Sequence, residues 1–419
     1  MKKILCILLT LLIFVGLCAC GSDADTSSDV KVIYEEEVVY EGGIPVSSDT
    51  SLKDDTGTQT DTSSVQSETS SVSSVSPEQQ QPQENICSLN DAVILQNIKL
   101  NGRCEKSNNG INLNMAASAI EFNTDSSSVL LTVEASAGVY YTVMVDGEIT
   151  AQHQAIESSN ASYIVVARGL ENGSHNIKFI RDSESRENMN FTVVSIQLDD
   201  GAKLLPKDSD KTVIEFLGDS LTSGYGNLVL NGVADPSALK NQSSTKAYPF
   251  LVANELGCDY RIVSMSGIAL GKREGYPTFP EFYSLESYHL DKAKKYASSN
   301  PAVVDIVVVN LGTNDVGARL YDAGNFESVS AYEQHFADLI TNIGYPKDAK
   351  IIFLYGVWNN EPITAINGAV KKLNSLGYNN VYTLQLPVCK SGGGSHPSDK
   401  EHREIADKVI EFFKDKAIT

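Results

Sequence analysis

Ser220, Gly267, Asn314 and His396 are widely separated in a chain of 419 residues, yet their surroundings share a pattern. Ser220 lies in Val213-Ile-Glu-Phe-Leu-Gly-Asp-Ser-Leu-Thr-Ser-Gly-Tyr-Gly226, where a short apolar run stops at Gly218-Asp-Ser220. A serine left in a strand-to-loop turn can present its hydroxyl as a nucleophile and its backbone N–H to a bound oxygen. Gly267 ends Ser264-Met-Ser-Gly267, and Asn314 lies in Asn310-Leu-Gly-Thr-Asn-Asp315. His396 lies in Ser395-His-Pro-Ser398. Each block alone also fits an ordinary turn, loop brace or solvated residue. Together they supply a nucleophile (Ser220), a base (His396) and three oxyanion donors: the Ser220 N–H, the Gly267 N–H and the Asn314 amide. That is the equipment of acyl transfer.

The elements that must position these residues are legible as period changes. From about 211, strand candidates at Val213–Leu217, Tyr260–Met265, Val303–Leu311, Lys350–Tyr355 and Asn380–Leu384 alternate with helical patterns. Such alternation predicts a mostly parallel sheet with helices on both faces. Open α/β sheets bind ligands outside the C-terminal ends of their strands, where Ser220, Gly267 and Asn314 fall. Ser330-Ala-Tyr-Glu333 reads as a capping box, with Phe336, Leu339, Ile340 and Ile343 at helical spacing and Gly344 as the stop. Ser398-Asp-Lys-Glu401 reads as another, placing His396 just outside the last helix.

Residues 86–205 are different. Short β-rich runs recur at Ala119–Phe122, Val129–Val133, Tyr140–Val145, Tyr163–Val166, Asn176–Ile180 and Phe191–Ile196. Asp146-Gly147 and Asn172-Gly173 read as hairpin turns. The pattern predicts an antiparallel β-sandwich, jelly-roll-like, preceding the α/β domain at 211–419. Cys87 and Cys104 could pair there in an oxidising compartment, and the sequence leaves this open. Residues 21–85 are dominated by Ser, Thr, Asp, Glu and Gln and are expected to form a disordered tether spanning about 45 Å. Val32–Tyr34 and Val38–Tyr40 are at most a local strand pair.

Residues 1–20 read as an export signal: Lys2 and Lys3, then an apolar Ile4–Val15 too short for a comfortable span. The net charge of −20 argues against a nucleic-acid partner. The remaining histidines, His153, His175, His289, His335 and His402, have no paired ligand spacing, and no phosphate-cradling loop follows a strand. Neither metal nor cofactor is expected. Asp219 and Asp315 are expected to brace loops rather than act as acids. Trp358, just past the fourth strand, could stack on a sugar ring or pack against a neighbouring loop, and Tyr225 is a weaker candidate for the same role.

The Gly-Asp-Ser, Ser-Gly, Gly-Thr-Asn-Asp and Ser-His blocks, in this order over about 211–415, resemble the SGNH, or GDSL, hydrolase superfamily. With a preceding β-sandwich the chain looks most like carbohydrate esterase family two. The resemblance implies a three-layer α/β/α hydrolase domain and removal of O-acetyl groups from polysaccharides such as xylan and glucomannan. One position departs: most superfamily members carry an Asp three residues before the histidine, and this chain has Gly393. The family includes Ser–His dyads in which a main-chain carbonyl holds the ring. Ser391-Gly-Gly-Gly-Ser395 is expected to be pliable, leaving His396 to settle on substrate. Leu17-Cys-Ala-Cys20 resembles the bacterial lipobox, which implies lipidation at Cys20 and anchoring on the extracellular face of a bacterial membrane. Rival readings are an esterase acting on another acyl ester and a non-catalytic sugar-binding lipoprotein.

Overall fold

The computed structural model describes residues 85–159, 161–289, 291–295, 301–317, 328–358 and 362–418. The expected export signal, Cys20, and all but the last residue of the expected 21–85 tether, with its possible strand pair, lie outside the described residues; Asn85 belongs to a strand, Asn85–Ser88.

Two six-stranded antiparallel sheets form the sandwich. One runs in the order Cys104–Lys106, Ile111–Leu113, Phe191–Leu198, Val129–Ala135, Ala161–Ala167, with Asn85–Ser88 also pairing Phe191–Leu198. The other runs Leu204–Leu205, Ala119–Thr124, His175–Arg181, Tyr140–Val145, Glu148–Ala155, with Ile98–Asn101 also pairing Ala119–Thr124. Val129–Ala135 alternates buried and half-buried residues along its length, the period-2 pattern of a strand with one face inward. Leu131, Val133, Phe122, Ile177, Phe179 and Phe191 fill the space between the sheets.

Of the two expected hairpins, one forms. Asp146 and Gly147 both have positive φ, 52° and 86°, and Val145 pairs with Glu148 across them, as a two-residue type I′ connection requires. Asn172-Gly173 instead lies in a connection between sheets. The strand before it pairs with Val129–Ala135, and the strand after it pairs with Ala119–Thr124 and Tyr140–Val145. Cys87 and Cys104 are both buried and free. The Cys104 thiol points at the carbonyls of Asn101 and Ala119, and burial pushes its pKa up to about 12.

The α/β half contains a five-stranded parallel sheet ordered Asp259–Ser264, Val213–Gly218, Ile306–Asn310, Lys350–Tyr355, Val381–Gln385. In chain order this is 2-1-3-4-5, which puts the topological switch point between the first and third strands. Tyr248–Glu255 and Asp399–Asp415 cover one face through Phe250, Val252, Ile405, Val409 and Phe413. Val329–Ile343 and Ile363–Ser375 cover the other through Phe336, Leu339, Ile340, Ile366 and Leu373. The helix expected to start at Ser330 starts earlier. Ser328 is its N-cap, accepting the Ala331 N–H, and Gly344 ends it in the left-handed region. The Ser398–Glu401 capping box forms with both of its bonds. One residue inside the sheet was not anticipated: Glu215, in the otherwise apolar strand Val213–Gly218, is buried and accepts from the hydroxyls of Tyr283 and Tyr345.

Sandwich and sheet share one core rather than meeting across a wet seam. Ala117, Ala119, Met144 and Ile180 pack in the same apolar cluster as Ile214, Phe216 and Tyr260. Asp182, fully buried at the end of a sandwich strand, accepts from Thr142 Oγ1 at 3.0 Å, Ser243 Oγ at 3.0 Å, Thr245 N at 2.7 Å and Thr245 Oγ1 at 2.8 Å. A buried carboxylate is tolerated when its lone pairs are filled in this way.

Candidate active site

Strand register brings the distant blocks together. Gly218 pairs with Ser264 on one side and Asn310 on the other. Ser220 and Ser266 therefore each lie two residues beyond a paired position, and Asn314 follows four residues beyond Asn310. Ser220 opens a short helix, Ser220–Ser223, capped by Asp219 and closed by Gly224 with φ 87°.

Ser220 and His396 are both buried, and His396 Nε2 lies 2.8 Å from Ser220 Oγ. His396 Nδ1 lies 3.0 Å from the Gly394 carbonyl. A carbonyl can only accept, so Nδ1 carries the ring proton and the Nε2 lone pair faces the serine hydroxyl. Tyr225 and Trp358 flank the imidazole at ring-centroid distances of 4.5 and 4.9 Å, Trp358 edge-on. Burial pushes the His396 pKa down to about 4, offset in part by the carbonyls of Gly394 and Gly393. The ring is neutral at rest and able to take a proton.

The loop that carries His396 is pinned rather than pliable. Gly392 N–H donates to His396 O at 2.8 Å, and Gly393 N–H donates to Gly226 O at 2.9 Å. Asn231 donates to Ser395 Oγ at 3.1 Å and accepts from Ser395 N. Gly226 has φ 63°, and a Cβ there would come within 2.7 Å of Gly393 O, so this close approach requires glycine. The sequence showed three consecutive glycines but not the partners that hold them.

Asp219 and Asp315 are loop braces, as expected. Asp219 accepts from Leu221 N and from Asn314 Nδ2 at 3.1 Å, and burial, reinforced by the Asp315 charge, pushes its carboxyl up to about 7. Asp315 accepts from Leu270 N and Gly271 N. Asn314 is more occupied than a free donor would be. Its Nδ2 donates to Asp219 Oδ2 and to Ile268 O, while Arg273 approaches its Oδ1 at 3.5 Å. Donation to an oxyanion exchanges one of those two bonds. No hydrogen bond within the described residues engages the Ser220 or Gly267 N–H.

Trp358 is half-buried among apolar residues, and its indole N–H has no partner among the described residues. Its ring contact is with His396, so the packing alternative is realised. Three residues at the site carried no sequence signal. Tyr276 stands over Gly267, where a Cβ would come within 2.7 Å of its ring, and Arg273 lies 4.5 Å from that ring. Glu184, from the sandwich, accepts the Ser266 N–H.

A parallel sheet with a serine beyond its first strand and a paired histidine ahead of its last helix defines a class of hydrolase domain. Residues 214–409 match the family model described as GDSL-like Lipase/Acylhydrolase. Residues 100–207 match the model described as Carbohydrate esterase 2 N-terminal. The two matched segments follow one another along the chain without overlap. It is 27% identical over 334 residues to the cellulase/esterase CelE of Acetivibrio thermocellus, covering 76% of this chain and 39% of that relative. It is 24% identical over 257 residues to an acetylxylan esterase / glucomannan deacetylase of Cellvibrio japonicus, covering 59% of this chain and 71% of the relative. An acetyl xylan esterase from the rumen bacterium Butyrivibrio proteoclasticus has a similar fold, with TM-score 0.70 and 18% identity over 80% of this chain and 98% of that one. These relatives are esterases, and this chain spans less than two fifths of the first one's length.

Proposed function

We propose that the chain is a serine esterase that removes O-acetyl groups from polysaccharide of the xylan or glucomannan type. The observation that carries this is the 2.8 Å contact between His396 Nε2 and Ser220 Oγ, with His396 Nδ1 committed to the Gly394 carbonyl. Ser220 Oγ attacks the acetyl carbonyl carbon while its proton passes to Nε2. The oxyanion is held by the Ser220 and Gly267 N–H groups, with Asn314 joining as it releases a partner. The tetrahedral intermediate collapses, the C–O bond to the sugar breaks, and His396 returns its proton to the departing hydroxyl. Water, deprotonated by His396, then releases acetate from Ser220. Tyr276, Tyr225 and Trp358 supply aromatic surface for a sugar leaving group.

The named relatives favour a carbohydrate ester over other acyl esters, and the intact Ser220–His396 contact favours catalysis over binding alone. Acetate release across a panel of acetylated xylan, glucomannan, lipid ester and peptidoglycan tests the substrate class. Turnover confined to the lipid or peptidoglycan esters contradicts it. We further propose, from the lipobox-like Leu17-Cys-Ala-Cys20, that the protein is held outside the cell by a lipid anchor at Cys20. Cys20→Ala should release it from the membrane fraction or block its processing. Unchanged association with normal processing contradicts the anchor.

A further inference from the structure

The sandwich strand His175–Arg181 runs into a segment, Asp182–Arg186, in which Asp182, Glu184 and Arg186 bond residues of the hydrolase domain. Glu184 is buried, and its Oε1 accepts the backbone N–H of Ser266. Ser266 is the residue before Gly267. Its hydroxyl lies 3.4 Å from Ser223 Oγ, and Ser223 Oγ donates to Ser220 O at 3.3 Å. A continuous polar path therefore links a sandwich carboxylate to the turn that follows the second strand and to the helix that begins at Ser220.

Glu184 is itself held firmly. Arg181, buried, donates to the Glu184 carbonyl at 3.3 Å, to Ser183 O and to Leu113 O. Arg186 Nη2 lies 3.5 Å from Glu184 Oε2 and donates to Ser237 O at 2.8 Å, tying the segment to the loop opposite. A recess of about 340 Å³ lined by Glu184, Arg186, Ser266 and Tyr276 opens beside this turn. Tyr276, which lines this recess, also stands over Gly267, so the recess adjoins the turn that carries the Gly267 N–H.

We propose that the β-sandwich completes the active site, with Glu184 a positioning residue that fixes the Ser266–Gly267 turn so that the Gly267 N–H meets the developing oxyanion. The catalytic consequence rests on the esterase reading above, whereas the hold on the turn does not. Preorganised donors are worth most where they need not reorient during reaction. The turn has one bond of its own, Ile268 N–H to Met265 O at 3.2 Å, and Arg273 donates to Gly267 O, while the Ser266 N–H inside it is left to an outside acceptor, which Glu184 provides. The hydrolase half alone would lack that acceptor.

The test uses the full chain carrying Glu184→Ala, Glu184→Asp or Glu184→Gln. Two readouts are taken: kcat and KM on p-nitrophenyl acetate, and amide hydrogen exchange of the 264–267 turn. Asp keeps the charge but withdraws the acceptor, and Gln keeps an acceptor but loses the charge. In Ala and Asp, kcat should fall about 10- to 100-fold with KM nearly unchanged, somewhat less than the loss of an oxyanion donor itself. Exchange of the turn should speed up in the same two variants. Gln should stay within about threefold of wild type in kcat, with exchange unaltered, because the hydrogen bond survives. A loss in Gln equal to that in Asp would overturn the proposal, as would wild-type kcat or wild-type exchange in folded Ala protein. If Ala does not fold, the Asp–Gln contrast decides. Wild-type protein without Ser220-dependent turnover would overturn the esterase reading, and the exchange arm would still decide whether Glu184 holds the turn.

Discussion

His396 Nδ1 donates to the carbonyl of Gly394, two residues earlier in the same loop, at 3.0 Å. The carboxylates nearest in sequence are committed elsewhere. Asp399 accepts the Lys400 N–H and lies 3.5 Å from Lys246 Nζ. Glu401 accepts from the N–H groups of Lys390, Ser391 and Ser398. Asp399→Asn should therefore leave turnover within about threefold of wild type, and Glu401→Gln should lose somewhat more because it loosens the 390–391 clamp. Removing a true triad carboxylate can cost about 10⁴-fold in kcat. Matched kcat measurements on the two folded variants decide, and a collapse of about a thousandfold or more in either would mean that a displaced acid orients His396.

Placing an acid three residues before His396 should fail for a steric reason. A Cβ at residue 393 would stand 2.7 Å from Pro236 Cβ and 2.8 Å from Val229 Cγ2. The backbone conformation is no obstacle, since positive φ occurs at Gly394 rather than at Gly393. Gly393→Asp should lower stability by about 1–3 kcal/mol, the usual cost of overpacking, and reduce turnover with it. Chemical denaturation with parallel kinetics checks this, and an equally stable, more active variant would contradict it.

The pH profile should report a histidine held neutral by burial. Only neutral His396 can accept the Ser220 proton, and its pKa is lowered to about 4. On the acid side kcat/KM, which reflects the free enzyme, should stay level down to about pH 5 and halve near pH 4. A midpoint near the ordinary histidine value would contradict this. Folding stability moves the same way. His396 and His402 have folded pKa values of about 4 and about 3, below the ordinary 6.5. The unfolded chain binds protons first as pH falls below that value, so their contribution is full above it and is lost through the two folded values. Asp219, raised to about 7, acts oppositely, and its contribution is lost as pH rises toward that value.

Trp358 separates two roles by substrate size. It contacts His396 at 4.9 Å and helps exclude water from the ring. If that contact matters, Trp358→Ala should lower kcat on p-nitrophenyl acetate and shift the acid limb toward ordinary histidine values, since desolvation is relieved. A purely sugar-stacking indole would instead raise KM on polysaccharide and leave the small ester untouched. Kinetics on both substrates distinguish these outcomes.

The five parallel strands were legible because strands buried on both faces are continuous apolar runs, as at Ile306–Asn310. The Ser220, Gly267, Asn314 and His396 blocks were legible because each follows a strand or precedes a capped helix. Local chemistry misled where the outcome was not local. Asn172-Gly173 has turn residues, yet nothing in them says that the next strand joins the other sheet. Ser330 competed with Ser328 for the same cap, and only the Ala331 N–H settled it. Glu184 was silent because its partner Ser266 is brought to it by packing of the two halves, and Tyr276 because the loop after Gly267 folds its ring back over that glycine.

Acetate release from an acetylated polysaccharide by matched, folded wild-type and Ser220→Ala protein is the most direct test of the central claim. The Ser220 side chain is buried at the turn, and its Oγ contact is with His396, so the substitution should leave folding intact. The account predicts a loss of several orders of magnitude, toward the roughly 10⁶-fold seen when a serine hydrolase loses its nucleophile. Turnover near the wild-type level in the variant would contradict it.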